Sequence, residues 1–186
     1  MSEKIKVLAF AGSLRKSSYN KALIRAAVEV APENVVIEVF DLEGIPLFNQ
    51  EFEANPPQRV KDFKDKIRAA DALLIATPEY NYSIPGVLKN AIDCASRPKA
   101  DTPFEGKPVA IMSAATGRFG GARAQYHLRQ AFIFLNMQPI NRPEVMLSDA
   151  QHNVDAEGKV TNDQTRQLIR QLLEALAAWT IKLKEK

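Results

Sequence analysis

Short apolar runs alternate along this chain with stretches of helical period, and that alternation constrains its fold more than any other feature. Ile5-Lys6-Val7-Leu8-Ala9-Phe10-Ala11 is nearly continuous in apolar residues, as a strand buried on both faces must be. Residues 35–40, 72–76 and 108–112 repeat the pattern. Between them lie helical stripes: Leu23, Ile24, Ala27 and Val28; then Val60, Phe63, Ile67 and Ala70 behind Pro56-Pro57; then Val87, Leu88, Ala91, Ile92 and Ala95 after Pro85-Gly86. A fourth helix is expected from Gly120-Gly121 to about Leu135. Thr161-Asn162-Asp163-Gln164 has the spacing of a capping box ahead of a final helix carrying Leu168, Ile169, Leu172, Leu173, Leu176 and Thr180. Residues 137–147 are ambiguous, because Pro139 and Pro143 limit regular structure, and a short fifth strand is expected over Val145-Met146-Leu147.

This strand–helix order implies parallel strands with right-handed crossovers and helices on both faces of the sheet. With five strands, the economical arrangement is an α/β, flavodoxin-like three-layer sandwich whose five-stranded parallel sheet has the order 2-1-3-4-5, in one domain over residues 1–186. Ligands of such sheets bind beyond the carboxyl ends of the strands at the switch point, so the loops after strands 1, 3 and 4 should converge. The bulk numbers agree with an ordinary globular domain: 186 residues, 46% hydrophobic and 25% charged. A single cysteine excludes a disulfide framework within the chain and any multi-cysteine metal or iron–sulfur site, and suits a reducing compartment; a cytoplasmic location is expected. No apolar run approaches the ~18 residues of a membrane helix, and the amino terminus leads into a core strand with no signal-peptide layout. Net charge is +3, with Lys and Arg dispersed among acids, which fits anionic small molecules better than nucleic acid.

The first of the three loops, Gly12-Ser13-Leu14-Arg15-Lys16-Ser17-Ser18-Tyr19-Asn20, has the makings of a phosphate cradle. Backbone N–H groups at a helix start favour an anion, serine and asparagine add directed donors, and Arg15 adds charge. The plainer reading is a polar turn with an N-cap at Ser17 or Ser18. It is neither a Walker loop nor a dinucleotide fingerprint, since the required second glycine is missing in both cases. Cys94 lies far from it in sequence, so the loop holds a phosphate rather than transferring one.

The loop after strand 3, Thr77-Pro78-Glu79-Tyr80-Asn81-Tyr82-Ser83-Ile84-Pro85, offers tyrosines that could flank a flat ring and backbone amides for a heteroaromatic edge, or else tyrosines that pack on neighbours. The loop after strand 4, from Ser113 to Gly121, is small and glycine-rich, either for close approach of a ligand or for flexibility. A cradle and a ring-binding loop on one scaffold suggest a phosphorylated flat cofactor, a description that flavin mononucleotide (FMN) fits. His127, His152 and Cys94 read as structural or solvated residues, and no metal site is expected. Arg118 and Phe119 either face a nicotinamide nucleotide or are merely exposed.

Three segments, GSLRKSSYN (12–20), TPEYNYSIPGVLKNAID (77–93) and GGARAQYHLRQ (120–130), together resemble the NAD(P)H-dependent FMN reductase family, in particular its quinone and chromate reductase branch. The resemblance spans nearly the whole chain. It implies non-covalent FMN, NAD(P)H as co-substrate, chemistry on the flavin with no catalytic side chain, and small acceptors such as quinones, with chromate, free flavin and azo compounds possible. By the same resemblance Ser13, Arg15, Ser18 and Asn20 hold the FMN phosphate, with Ser17 where relatives often carry glycine. Pro78, Glu79, Tyr80, Asn81 and Tyr82 border the ring, and Ala115 stands where relatives often place a serine, so any contact there must come from backbone. A homodimer or homotetramer is implied too. The helix from Ala122 to Leu135 is too widely apolar for one core-facing stripe, so it is either covered within its own subunit or part of an interface, whose register Arg123 with the Tyr82 hydroxyl and Tyr126 with Glu144 could fix across subunits. Two other classes stay open: an electron carrier without NAD(P)H turnover, against which a sequence pI near 9.0 argues, and a flavin- or redox-sensing binding module.

Overall fold

The computed structural model describes residues 3–185. The strands are β1 (Ile5–Ala11), β2 (Val35–Val39), β3 (Ala72–Thr77), β4 (Pro108–Ala114), β5 (Gln138–Pro139) and β6 (Val145–Leu147). The helices are α1 (Tyr19–Glu29), α2 (Gln58–Ala69), α3 (Gly86–Ala95), α4 (Ala122–Phe134), the short α5 (Ala150–Asn153) and α6 (Asp163–Lys184). All strand pairs are parallel and the order is β2-β1-β3-β4-β5, the flavodoxin-like arrangement that the sequence predicts.

The expectation of five strands needs correction. The fifth position is filled by two short pieces: β5 lies beside Pro108 and Val109, and β6 beside Met112, Ser113 and Ala114. Ile140 N still donates to Val109 O, after which residues 141–144 leave the ladder and Pro143, lacking an N–H, cannot rejoin it. The start of α6 is likewise displaced by one residue from the capping-box reading. Asn162, not Thr161, is the N-cap, its side-chain oxygen accepting from Thr165 N at 2.8 Å.

Alternate residues of the central strands feed two separate cores, as the period of two requires. Val7, Ala9, Leu74 and Met112 pack under α1 and α6, whereas Leu8, Phe10, Leu73, Ile75 and Ile111 pack under α2, α3 and α4. Three layers result. Helix α4 carries apolar residues beyond its core face: Leu128 and Phe132 are buried, but Ile133 is 81% and Phe134 64% exposed. No helix among the described residues is long and apolar enough to cross a membrane.

Candidate functional site

The loop between β1 and α1 is held at both ends and open in the middle. Gly12 N donates to Ala76 O at 2.8 Å, and a Cβ at position 12 would lie 3.0 Å from Leu88 Cβ, so any larger residue would press on α3 here. At the other end Ser18 caps α1, its hydroxyl accepting from Asn20 N and Lys21 N. Between these anchors the backbone amides of Ser13, Leu14, Arg15, Lys16 and Ser17 donate to no acceptor among the described residues. Five consecutive free amides at a helix start, with Ser13 itself buried, form a nest for an anion. Arg15 stands over it, its Nη2 on Ser17 O at 2.8 Å and its guanidinium 4.9 Å from the centre of the Tyr19 ring. The capping turn and a run of unpaired amides therefore coexist in one loop.

Asn20 is buried and committed elsewhere. Its amide bonds both backbone groups of Ala114, each at 3.0 Å, so it joins the first turn of α1 to the end of β4. It shapes the cradle by holding loop 1 against loop 4.

In the loop after β3, Tyr80 and Ser83 exchange backbone hydrogen bonds of 3.0 Å around Asn81 (φ 51°) and Tyr82 (φ 64°). Two consecutive left-handed residues define a tight primed turn, strained for a tyrosine and sustained by its surroundings. Those surroundings are α4. Glu79, with its side chain 8% exposed, accepts from Arg123 N at 3.0 Å, Ala124 N at 3.3 Å and Arg123 Nε at 2.5 Å. A carboxylate on the first amides of a helix is favourably placed against its dipole. The Arg123 guanidinium then lies 3.8 Å from the centre of the Tyr82 ring and 4.9 Å from that of Phe119. Ser83 Oγ meets His127 Nδ1 at 2.6 Å, which gives that histidine a structural partner.

These contacts revise the expected pairing between subunits. Arg123 stacks on the Tyr82 ring of its own chain, and Tyr126 reaches Glu144 of its own chain at 3.2 Å. The fold alone brings these partners together, because α4 begins where loop 3 turns.

Loop 4 is corrected too. Ala115 N donates to Leu147 O and Ala115 O accepts from Ala150 N, so the backbone of Ala115 is engaged with β6 and α5. The free amides are the next ones, those of Thr116, Gly117 and Arg118. Sequence reasoning passed over Thr116; the signal was the first polar residue after a strand end, two positions beyond Ala114. Beneath the loop, Ser113 Oγ donates to Gly120 O at 2.6 Å, and Gln125 Nε2 donates to Ser113 Oγ and Val145 O at 2.8 Å each.

The three loops enclose a cleft of about 210 Å³ beyond the carboxyl ends of β1, β3 and β4. Loop 1 contributes Ser13, Arg15, Ser18, Tyr19 and Asn20; loop 3 contributes Pro78, Glu79 and Tyr80; loop 4 contributes Ala115 and Thr116. Ser17 faces an adjoining cleft instead, and Asn81 and Tyr82 stand outside the lining. Cys94 lies elsewhere, 8% exposed, with burial and then the charge of Asp93 pushing its thiol up, so it is not a reactive centre.

Residues 5–152 match the NADPH-dependent FMN reductase family. The chain is 55% identical to an NAD(P)H-dependent FMN reductase of Pseudomonas aeruginosa, over 99% of its own length and all of the relative's. It is 46% identical to an NAD(P)H:quinone oxidoreductase of Solanum tuberosum, covering 98% of this chain and 96% of that one. Among solved structures, the flavoenzyme NAD(P)H:(acceptor) oxidoreductase FerB of Paracoccus denitrificans superposes with a TM-score of 0.87 at 32% identity, covering 96% of this chain and 98% of that one. Sheet order, loop geometry and likeness agree: the chain belongs to the NADPH-dependent FMN reductase family.

Proposed function

We propose that the protein is an NAD(P)H-dependent oxidoreductase that holds FMN without covalent linkage in the three-loop cleft and delivers electrons to quinones. The observation that carries this reading is the run of free amides from Ser13 to Ser17 at the head of α1, with Arg15 above it. Amides, the Ser13 and Ser18 hydroxyls and one guanidinium are the donor set that a phosphate dianion requires. Loop 3 and loop 4 supply what a flat ring needs: Pro78 and Ala115 as slim apolar walls, Tyr80 at the rim, and the free amides of Glu79 and Thr116 for a polar edge. Bound there, FMN would accept two electrons from NAD(P)H and pass them to the acceptor.

The chain's own part is placement. Asn20 and Glu79 fix loops 1, 3 and 4 relative to one another, through Ala114 and through the amino end of α4. No side chain in the cleft is arranged as a nucleophile or a proton relay. An open cleft without an acceptor-specific polar group suits several flat or small acceptors, so chromate, azo compounds and free flavin belong to the same reading. The working unit is one domain in a cytoplasmic homodimer or homotetramer, for which the exposed face of α4 is the candidate contact. An absorption spectrum of the purified protein, followed by NADPH oxidation with and without a benzoquinone, tests the proposal. Bound flavin with quinone-dependent turnover is expected. A protein that neither binds FMN nor oxidises NADPH would overturn it, and flavin binding without NADPH oxidation would leave an electron carrier.

A further inference from the structure

A second cleft, of about 790 Å³, opens on the far side of the phosphate loop, between that loop and the hairpin that pairs Val154 with Val160. It shares Arg15, Ser18 and Tyr19 with the first cleft, so the two are continuous across the cradle. Its walls carry the cations Arg15, Lys16 and Arg25 and the acids Asp155 and Glu157. Several cations elsewhere are tied to acids, as in Lys21–Asp41, Lys64–Asp101 and Arg123–Glu79, while Arg97 and Lys99 line another cleft without an acid partner among the described residues. Here, among the described residues, none of the three is ion-paired.

The hairpin explains why. Asp155 turns inward, its Oδ1 accepting from Lys159 N at 2.7 Å. Arg25 is aimed by the backbone: its Nη2 donates to Gly158 O at 2.7 Å, and a Cβ on residue 158, whose φ is +79°, would collide with that nitrogen. The Lys16 ammonium makes no hydrogen bond among the described residues. Once the cradle amides and Arg15 answer one phosphate, Lys16 and Arg25 remain as two cations without an anion, on a surface leading away from the cofactor.

We propose that this cleft seats the 2′-phosphate of NADPH, bound by the side chains of Lys16 and Arg25, and that it gives NADPH its advantage over NADH as electron donor. The proposal rests on the NAD(P)H-dependent reading given above. The two nucleotides differ only in that phosphate, and a pair of unshared cations is the chemistry that distinguishes them. Glu157 faces the same cleft and opposes the anion, so its charge tempers the preference.

The test uses the FMN-loaded enzyme with saturating benzoquinone. Wild type should show at least a tenfold higher kcat/KM for NADPH than for NADH. Arg25→Gln and Lys16→Met should each lower kcat/KM for NADPH about tenfold, while NADH stays within twofold, and Glu157→Gln should raise the NADPH preference. Lys16→Met keeps the backbone amide of the cradle and changes an exposed side chain, so it does not depend on Arg25→Gln folding well. A binding readout accompanies the rates: in calorimetry on the holoenzyme, 2′,5′-ADP should bind at least tenfold tighter than 5′-AMP, and either substitution should erase the difference. Equal use of both nucleotides, losses shared equally between them, or equal binding of the two fragments would each overturn the assignment while leaving the oxidoreductase reading intact. Failure to oxidise either nucleotide would instead overturn the reading on which it rests.

Discussion

Among the described residues, Arg15 is the only guanidinium that faces both clefts beside the free amides of loop 1, resting on the Tyr19 ring and bonded to Ser17 O. In the proposed cradle, replacing it with alanine would remove a charge-assisted contact to the phosphate and leave the free amides in place. We expect Arg15→Ala to weaken FMN binding by roughly 1–3 kcal/mol, measured by titrating apo-protein with FMN. Unchanged affinity would return Arg15 to the role of a loop strut. Gly120 makes a different demand. Its φ is +56°, and a Cβ there would sit 2.8 Å from the backbone carbonyl of Met146. That carbonyl belongs to β6 and cannot swing aside as a side chain would. Gly120→Ala should therefore cost on the order of 1–3 kcal/mol in urea unfolding and displace the amino end of α4, which carries Arg123 and the anchor for Glu79. A variant as stable as wild type would show that the junction between β6 and α4 yields easily.

At the scale of elements, α2 and the turn Lys99–Asp101 are joined by one carboxylate. Asp101 accepts from Lys64 Nζ at 2.7 Å and from Arg68 at 2.6 Å, and Lys64, 3% exposed, has Arg97 O as its other partner. The hydrogen bond from Lys64, followed by that from Arg68, holds the Asp101 carboxyl below its ordinary range. Asp71 is lowered as well: burial pushes it up, but bonds from Lys6 N and Lys184 outweigh that. A carboxyl depressed on folding binds fewer protons in the native state than in the unfolded chain. Its contribution is present above the unfolded value, about pH 4, and is lost as pH falls through the lower folded one. The melting temperature should thus stay level from neutral pH to about 5 and fall below about 4, and Asp101→Asn should flatten part of that fall. An unchanged acid profile in the variant would show that the pair contributes nothing to acid sensitivity. This same scale separates what the sequence discloses from what it conceals. The apolar runs of β1, β3 and β4 and the stripes of α1, α2 and α3 are local patterns, and they could be read directly. So could the three loops, because each is compositionally unlike its flanks. The split of the fifth strand could be read only in part, since Pro139 and Pro143 mark a break without saying that both pieces lie beside β4. The commitments of Asn20 to Ala114 and of Glu79 to α4 were hidden, because they join residues 94 and 44 positions apart, and no local spacing records them. The backbone partners of Ala115 were hidden for the same reason: Leu147 and Ala150 come from the far side of the fold.

For the whole molecule, the telling feature is an apolar surface left exposed along one helix. Helix α4 buries Ala124, Leu128 and Phe132 against the sheet, yet leaves Tyr126 at 53%, Ile133 at 81% and Phe134 at 64% exposed. Phe119 at 59% lies just before its amino end. Residues 119, 126 and 133 recur every seven positions, so with Phe134 they run down the outer side of the element. Scattered exposed apolar residues are ordinary, but large ones following one helix face mark a contact surface. A second copy of the chain is the simplest occupant, since a two-fold axis lets the same stripe pack on itself. The position matters for the proposed chemistry, because the amino end of α4 also carries the tie to Glu79 and the stack on Tyr82, beside the three-loop cleft. An interface along α4 would stiffen the loops that border the acceptor. Light scattering at micromolar concentration should find more than one subunit, and Ile133→Glu should shift the protein toward a smaller species by placing a charge within the stripe, at its most exposed residue. That substitution touches no core residue, so the monomeric fold should survive, as circular dichroism would show. If assembly does limit loop motion, the dissociated variant should keep its flavin and change its KM for quinone more than its kcat. A wild-type monomer with full quinone reductase activity would show that the stripe has another purpose and that the cleft is complete within one chain.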